Sequence, residues 1–421
     1  MTQIITNIKY LAGVRENFSP LRGEELRNLP IIEDAFLIVE GDQIADYGKM
    51  SDLKPTKNPK DLYDAGGASI LPAYCDSHTH LVFARSREDE FVDKIKGLNY
   101  AEIAARGGGI LNSAKKLGET SEDELFNLAW KRLEEVSKLG TGAIEIKSGY
   151  GLTLESELKM LRVIKKLKSK SKLEIKSTFL GAHTYPVQFR DNHREYIRII
   201  KEEMLPVIAE ENLADFIDVF CENGFFSPDE MEEICKAGLE NGLLPKLHVN
   251  QLNSIGGIER GIDVNAISMD HLETVTDRDV ELLSGKIATA AGKKWNGIST
   301  LLPTAAFFLR MAFQPARQLI NAGCAVALAS DYNPGSSPSG NMNFVIALSC
   351  IQMKMFPEEA INAATLNGAW AMKLGNELGS ITRGKKSNLI ITRAIPSISY
   401  LPYSFGTNLV DRVMIDGAWI S

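Results

Sequence analysis

The sequence predicts an α/β protein: a (β/α)8 barrel with a small β-sandwich built from the two ends of the chain. Three observations predict it. Apolar strands and helix-patterned segments alternate through the middle of the chain, and eight such strands can be counted. Chemically capable residues recur at the carboxyl ends of those strands, where barrel enzymes build their sites. Short strands without intervening helices fill both termini. At 421 residues the chain exceeds one ordinary domain, and it suits a barrel of roughly 250–300 residues with a smaller unit beside it. The division read from the sequence is 1–70 with 377–421 as the composite β-sandwich and 71–376 as the barrel.

The elements follow in order. IITNIKY and AFLIVEGDQIADYG read as strands, with Gly41-Asp42 placed as a hairpin turn between two apolar runs. SILPAYCDSHTH reads as one strand buried on both faces and ending in His80; a charged stretch, SREDEFVDK, comes next and reads as mobile. A helical region leads to Gly107-Gly108-Gly109. Ser121-Glu122-Asp123-Glu124 is a capping box opening a helix with Leu125, Ala129, Leu133 and Val136 on one face, and Gly140 ends it. Then come strand TGAIEIKSGYG, helix ESELKMLRVIKKL, and strands KSTFLGAHTY, DFIDVFCENGFF, KLHVNQL, AISMDH and CAVALASDYN. The missing seventh strand is placed at GISTLLP, with KIATAA as the alternative, and the stretch before TLLP is long for its position. SNLIITRAI and RVMIDGAWI return to the strand texture of the N-terminus.

Bulk properties exclude several function classes. The net charge of −7 is spread over interspersed acidic and basic residues, so no basic face invites nucleic acid. No run of about 18 apolar residues exists to span a membrane. The five cysteines, Cys75, Cys221, Cys235, Cys324 and Cys350, are odd in number, widely spaced and mostly within apolar runs. They read as buried thiols in a reducing compartment. With no basic, apolar and cleavable leader visible at MTQIITNIKYL, the expected location is cytoplasmic. No dinucleotide-binding glycine motif follows a strand, and no P-loop is present.

The chemistry concentrates on histidine. His78 and His80 are two residues apart, so in an extended segment both imidazoles point to one side and can chelate a divalent ion. Further strand ends carry Glu145, Lys147 and Tyr150, then His183, Glu222, His248 with Gln251, His271, and Asp331 with Asn333. Of the six histidines only His193, in the polar stretch RDNHREY, lies elsewhere, and it reads as a solvated surface residue. His78, His80, His248 and Asp331 together offer three neutral nitrogens and a carboxylate. That set suits Zn²⁺ or Fe²⁺ and leaves room for a water, whose pKa the ion lowers towards ~7. Taken singly, Asp331 reads equally well as a turn residue in SDYNPG, and His248 as a hydrogen-bonded core histidine. Their recurrence at matching strand ends favours the metal.

SHTH after an LP turn, later strand-end histidines and a terminal Asp resemble the amidohydrolase superfamily. HTHLVFARSREDEF with GGGI downstream, EIKSGYGL, FLGAHTYP, ALASDYNPGSSPS and LPYSFGTN narrow the resemblance, over nearly the whole length, to the imidazolonepropionases. The resemblance implies one Zn²⁺ or Fe²⁺/Fe³⁺ per chain on His78, His80, His248 and Asp331, and a homodimer. It implies that a small molecule, imidazolone propionate, is bound by Arg87, Tyr150, His183, Gln251, Asn333, Gly335 and Ser336. The implied reaction is hydrolysis of the cyclic amide of 4-imidazolone-5-propanoate to N-formimino-L-glutamate, with Asp331 and His271 moving protons. Arg87 offers a planar fork suited to the propionate; its bland reading is a surface arginine. Arg85 is a second cation or solvent-facing, and Glu145 with Lys147 is expected as a buried ion pair supporting the site. Many members have Glu where this chain has Gln251, and an amide cannot act as a base. Glu222 stands where two-metal relatives place a bridging ligand, yet no further partners for a second ion are evident. The alternatives are another cyclic amidohydrolase or deaminase of the superfamily and, more remotely, a barrel without catalysis that serves as an interaction partner.

Overall fold

Strands from both ends of the chain pair into one sheet. From the N-terminus come β1 (Thr2–Ala12), β2 (Ile31–Glu40), β3 (Gln43–Lys49), β4 (Leu62–Asp64) and β5 (Ser69–Pro72). The barrel strands follow: β6 (Tyr74–Asp76), β7 (Thr141–Lys147), β8 (Glu174–Ala182), β9 (Phe216–Cys221), β10 (Leu244–Val249), β11 (Ser268–His271), β12 (Ile298–Leu301) and β13 (Val326–Leu328). β14 (Leu389–Thr392), β15 (Val410–Ile415) and β16 (Ala418–Trp419) return to the first sheet, whose order is β16-β15-β14-β5-β1-β2-β3 with β4 on β1. The computed structural model describes residues 2–54, 62–98 and 108–420; Gly107 of the triple glycine lies outside them.

The eight barrel strands run parallel in sequence order from β6 to β13. The two ends of that path meet just beyond the strands. Asp331 N–H donates to His78 O at 3.0 Å, and His80 N–H donates to Tyr332 O at 2.9 Å. The barrel is therefore closed by the same short segments that carry His78, His80 and Asp331. β7 and β9 are buried throughout, as strands enclosed on both faces must be.

SILPAYCDSHTH is two strands rather than one. β5 pairs with β1 and β14 in the terminal sheet, whereas β6 pairs with β7 in the barrel. Both pieces are wholly buried, so their apolar pattern carries no mark of the change of sheet. The switch falls at Ala73, where a Cβ on Gly142 would approach the Ala73 Cβ to 2.5 Å. Only glycine lets β7 pass that close. RVMIDGAWI likewise divides into a hairpin, β15 and β16, about Asp416-Gly417, both at positive φ.

The seventh barrel strand lies within GISTLLP, as β12, and KIATAA is not a strand. The long stretch before it is a helix-to-strand connection at the amino end of β12, opposite the site. Lys293 Nζ anchors it by donating to Asp263 O (2.6 Å) and Asn265 Oδ1 (3.2 Å), and Trp295 is buried. SREDEFVDK forms the helix Glu88–Ile95, with Arg87 at its N-cap, instead of a mobile stretch. The helix Glu122–Lys138 buries Leu125, Ala129, Leu133 and Val136, and Ser121 Oγ accepts from Glu124 N–H at 3.2 Å. The Glu124 carboxylate meets Arg85 at 3.1 Å, which makes Arg85, 60% exposed, a surface ion-pair partner. All five cysteines are free thiols, and four are buried. No helix among the described residues is long and apolar enough to cross a membrane.

Candidate active site

Four imidazoles crowd the carboxyl end of the barrel. The ring centroids of His78 lie 4.4 Å from His248, 5.4 Å from His80 and 5.6 Å from His271. One nitrogen each of His78, His80 and His248 falls within 4.8 Å of the others; His78, His271 and Asp331 form a second such group. Asp331 Oδ1 is 3.6 Å from His78 Nε2 and 3.7 Å from His80 Nε2. His271, expected to move protons rather than to hold the ion, lies in the same cluster. Asp331 and His271 both adopt positive φ (53° and 85°), a costly backbone for residues other than glycine, at two positions the site uses.

The outer nitrogens fit an ion. His78 Nδ1 donates to Asp270 Oδ2 and His248 Nδ1 to Asp218 Oδ2, each at 2.7 Å. A carboxylate only accepts, so each ring carries its proton on Nδ1 and keeps a lone pair on Nε2. His78 Nε2 is buried with no hydrogen-bond partner. Histidines held this way by carboxylates are the usual supports of a metal ion. Burial first, then neighbouring cations and imidazoles, push His78, His80 and His248 well below the ordinary imidazole range, leaving them neutral. Burial raises Asp331 to about 6. At His271 burial acts downward, but the Glu273 carboxylate, 3.3 Å from Nδ1, contributes to a net rise.

The quoted motifs build the loops around this cluster. In EIKSGYGL the turn after β7 wraps the buried Glu157 carboxylate, which accepts from the N–H groups of Gly149 (3.1 Å), Gly151 (2.7 Å) and Leu152 (2.8 Å). That turn sets Tyr150 beside His80 and His183, with ring centroids 5.8 and 5.5 Å away. His183 Nδ1 donates to Gly149 O at 3.0 Å. In SDYNPGSS, Asn333 Oδ1 accepts from Gly335 and Ser336 N–H, both 2.8 Å, and Ser336 Oγ donates to Asp331 Oδ2 at 3.1 Å. Asn333 thus uses its amide to shape the loop. From the triple glycine, Gly109 N–H donates to Glu90 Oε1 at 2.9 Å. Glu222 accepts from Leu252 N–H (2.8 Å) and Asn253 N–H (3.1 Å), anchoring the loop that carries Gln251. Those bonds occupy the carboxylate expected as a possible second-metal bridge.

A cavity of about 530 Å³ opens over the cluster, lined among others by His80, Arg87, Tyr150, His183, Gln251 and Asp331. Asn333, Gly335 and Ser336 also line it. Arg87 is no surface arginine: its side chain is 11% exposed, with Glu90 3.2 Å from Nε and no hydrogen-bond partner for Nη2. A Cβ on Gly335 would collide with Arg87 Nη1, so the glycine makes room for the guanidinium. His193 lies outside the cavity, half-buried and stacked on Tyr185. The sequence reading passed over Glu90, Lys94 and Glu273, and also Asp218 and Asp270. The last two left a readable trace: a carboxylate inside an otherwise apolar strand, in DFIDVF and AISMDH.

The family model of the amidohydrolases matches residues 69–420. The chain is 54% identical over 418 residues to an imidazolonepropionase of Flavobacterium johnsoniae, covering 99% of both. The chain belongs to the imidazolonepropionases of the amidohydrolase family. An imidazolonepropionase of Christiangramia forsetii is 52% identical over 421 residues and 100% of both chains. Among solved structures, guanine deaminase of E. coli superposes with a TM-score of 0.72 at 14% identity, covering 100% of this chain and 98% of that one. A zinc-bound adenosine deaminase of Xanthomonas campestris gives 0.68 at 15%, over 99% and 92%. These two share the barrel fold with this chain. The family relation accounts for a barrel whose histidine cluster can hold a metal ion.

Proposed function

We propose that the chain hydrolyses the cyclic amide of 4-imidazolone-5-propanoate to N-formimino-L-glutamate, a step of histidine degradation, at one Zn²⁺ or iron ion held by His78, His80, His248 and Asp331. One observation carries the reading: a single cavity joins the buried imidazoles of His80, His248 and His271, the latter two with Nδ1 on a carboxylate, to a guanidinium that has bonding capacity to spare. Three neutral nitrogens and a carboxylate suit either ion. When bound, the ion lowers the pKa of water towards ~7 and polarises a carbonyl.

The side chains do the rest. Arg87 pairs with the propionate through its planar fork. Tyr150, His183 and Gln251 hold the ring, and the Asn333–Ser336 loop closes against it. Asp331 accepts a proton from the attacking water, whose oxygen bonds to the carbonyl carbon. His271, oriented by Glu273, stabilises the oxyanion and passes a proton to the ring nitrogen as the C–N bond breaks. Gln251 contributes hydrogen bonds only. The chain acts in the cytoplasm, as its free thiols suggest, and as a homodimer, a reading that rests on family resemblance, with 1–70 plus 377–421, carried on to Pro72 by β5, as a unit distinct from the barrel. Loss of the imidazolone chromophore and appearance of N-formimino-L-glutamate test the proposal. Faster turnover of a purine or another cyclic amide in a substrate panel would overturn it.

A further inference from the structure

Barrels of this kind fill their interior with layers of branched apolar side chains. Next to the imidazoles this barrel places Glu145, Lys147, Asp218, Lys246 and Asp270, all with no solvent exposure. Lys147 Nζ lies 2.6 Å from Glu145 Oε1, 2.9 Å from Asp218 Oδ2 and 3.9 Å from Asp270 Oδ2. The latter two oxygens are the acceptors for His248 Nδ1 and His78 Nδ1. Lys246 Nζ, 3.0 Å from Glu145 Oε2, also donates to the carbonyls of Ser77 (3.2 Å) and Ala371 (3.1 Å). Desolvating such a set costs stability that an apolar layer would not. Its geometry supplies a reason for keeping it.

We infer that Lys147 is a positioning residue of the metal centre: one ammonium that, through Asp218 and Asp270, fixes the orientation and tautomer of both His248 and His78. Glu145 holds the ammonium in register, and Lys246, paired to the other oxygen of Glu145, shares the contact to Asp270. The inference rests on the metal assignment proposed above. It makes the two histidines a coupled pair, because the Lys147 charge faces both of their carboxylates, while Lys246 Nζ, also 3.9 Å from Asp270 Oδ2, reaches only one of them.

The test labels the six histidines with ¹⁵N and compares wild type with Lys147→Met, metal-free and zinc-loaded, with circular dichroism as the check on folding. Metal-free wild type should show His78 and His248 as Nδ1–H tautomers. Lys147→Met should lose that signature at both rings and release Zn²⁺ to a chelator roughly 10- to 100-fold faster. If that variant does not fold, the arms are read singly: Asp218→Asn should disturb His248 and spare His78, and Asp270→Asn the reverse. A folded Lys147→Met with both tautomers and zinc release unchanged overturns the inference, as do Asn variants with wild-type spectra. Wild-type protein that takes up no zinc would instead remove the metal assignment, while the metal-free spectra still judge the role of Lys147.

Discussion

Arg87→Ala should lower kcat/KM for the propionate-bearing substrate by about 2–4 kcal/mol, roughly 30- to 1000-fold. The magnitude follows from the surroundings of the guanidinium. It is 11% exposed, has Glu90 3.2 Å from Nε and leaves Nη2 unbonded. A hydrogen bond to a charged group in such a setting contributes about 1.5–3 kcal/mol, and a carboxylate left unpaired adds its desolvation cost. Lys94, which lines the same cavity and donates to Gly335 O at 3.0 Å, keeps some positive charge in place and sets the ceiling. Arg87→Lys should recover part of the loss, since an ammonium cannot form the bidentate fork. Steady-state kinetics on the full substrate and on an imidazolone lacking the carboxylate make the measurement. The truncated compound should be poor for wild type and nearly indifferent to the substitution. The reasoning is refuted if Arg87→Ala stays within about threefold of wild type, or if it damages both compounds equally.

Three further outcomes are expected. Stripping the protein with a strong chelator should abolish turnover and Zn²⁺ or Fe²⁺ should restore it, with elemental analysis finding about one ion per chain; full activity in rigorously metal-free protein would contradict this. His271→Asn should keep its metal and lose roughly 10²–10⁴-fold in kcat, so normal turnover would remove His271 from the proton path. Gly335→Ala should push the Arg87 guanidinium aside, because its Cβ collides with Nη1, and should raise KM while thermal unfolding stays near wild type. An unchanged KM would show that the loop yields instead.

Much of the architecture was legible because burial leaves a periodic trace. β7, β9 and β11 to β13 each lie in a predicted apolar run, β8 and β10 begin two residues ahead of theirs, and the Gly41-Asp42 turn joins β2 to β3 as read. The failures have a common cause. At Ala73 the chain passes between two sheets without becoming exposed, so nothing in SILPAYCD marks the crossing. SREDEFVDK looked mobile because its charges dominate the pattern, and the helix it forms buries no residue fully.

The site divides along the same line. The sequence by itself determined which side chains could do chemistry and that strand ends would carry them, since residue type and strand period are local properties. Only the tertiary structure decided which groups meet. Lys147 lies 71 positions from Asp218 and 123 from Asp270 along the chain, and no local pattern ties one ammonium to two carboxylates and, through them, to two histidines. Nor does local pattern show that Glu222 is occupied by backbone N–H groups or that Gly335 clears space for Arg87. Closing the barrel creates those contacts, because it brings every strand end to one rim, where each side chain's partner is set by its neighbour around the ring rather than along the chain.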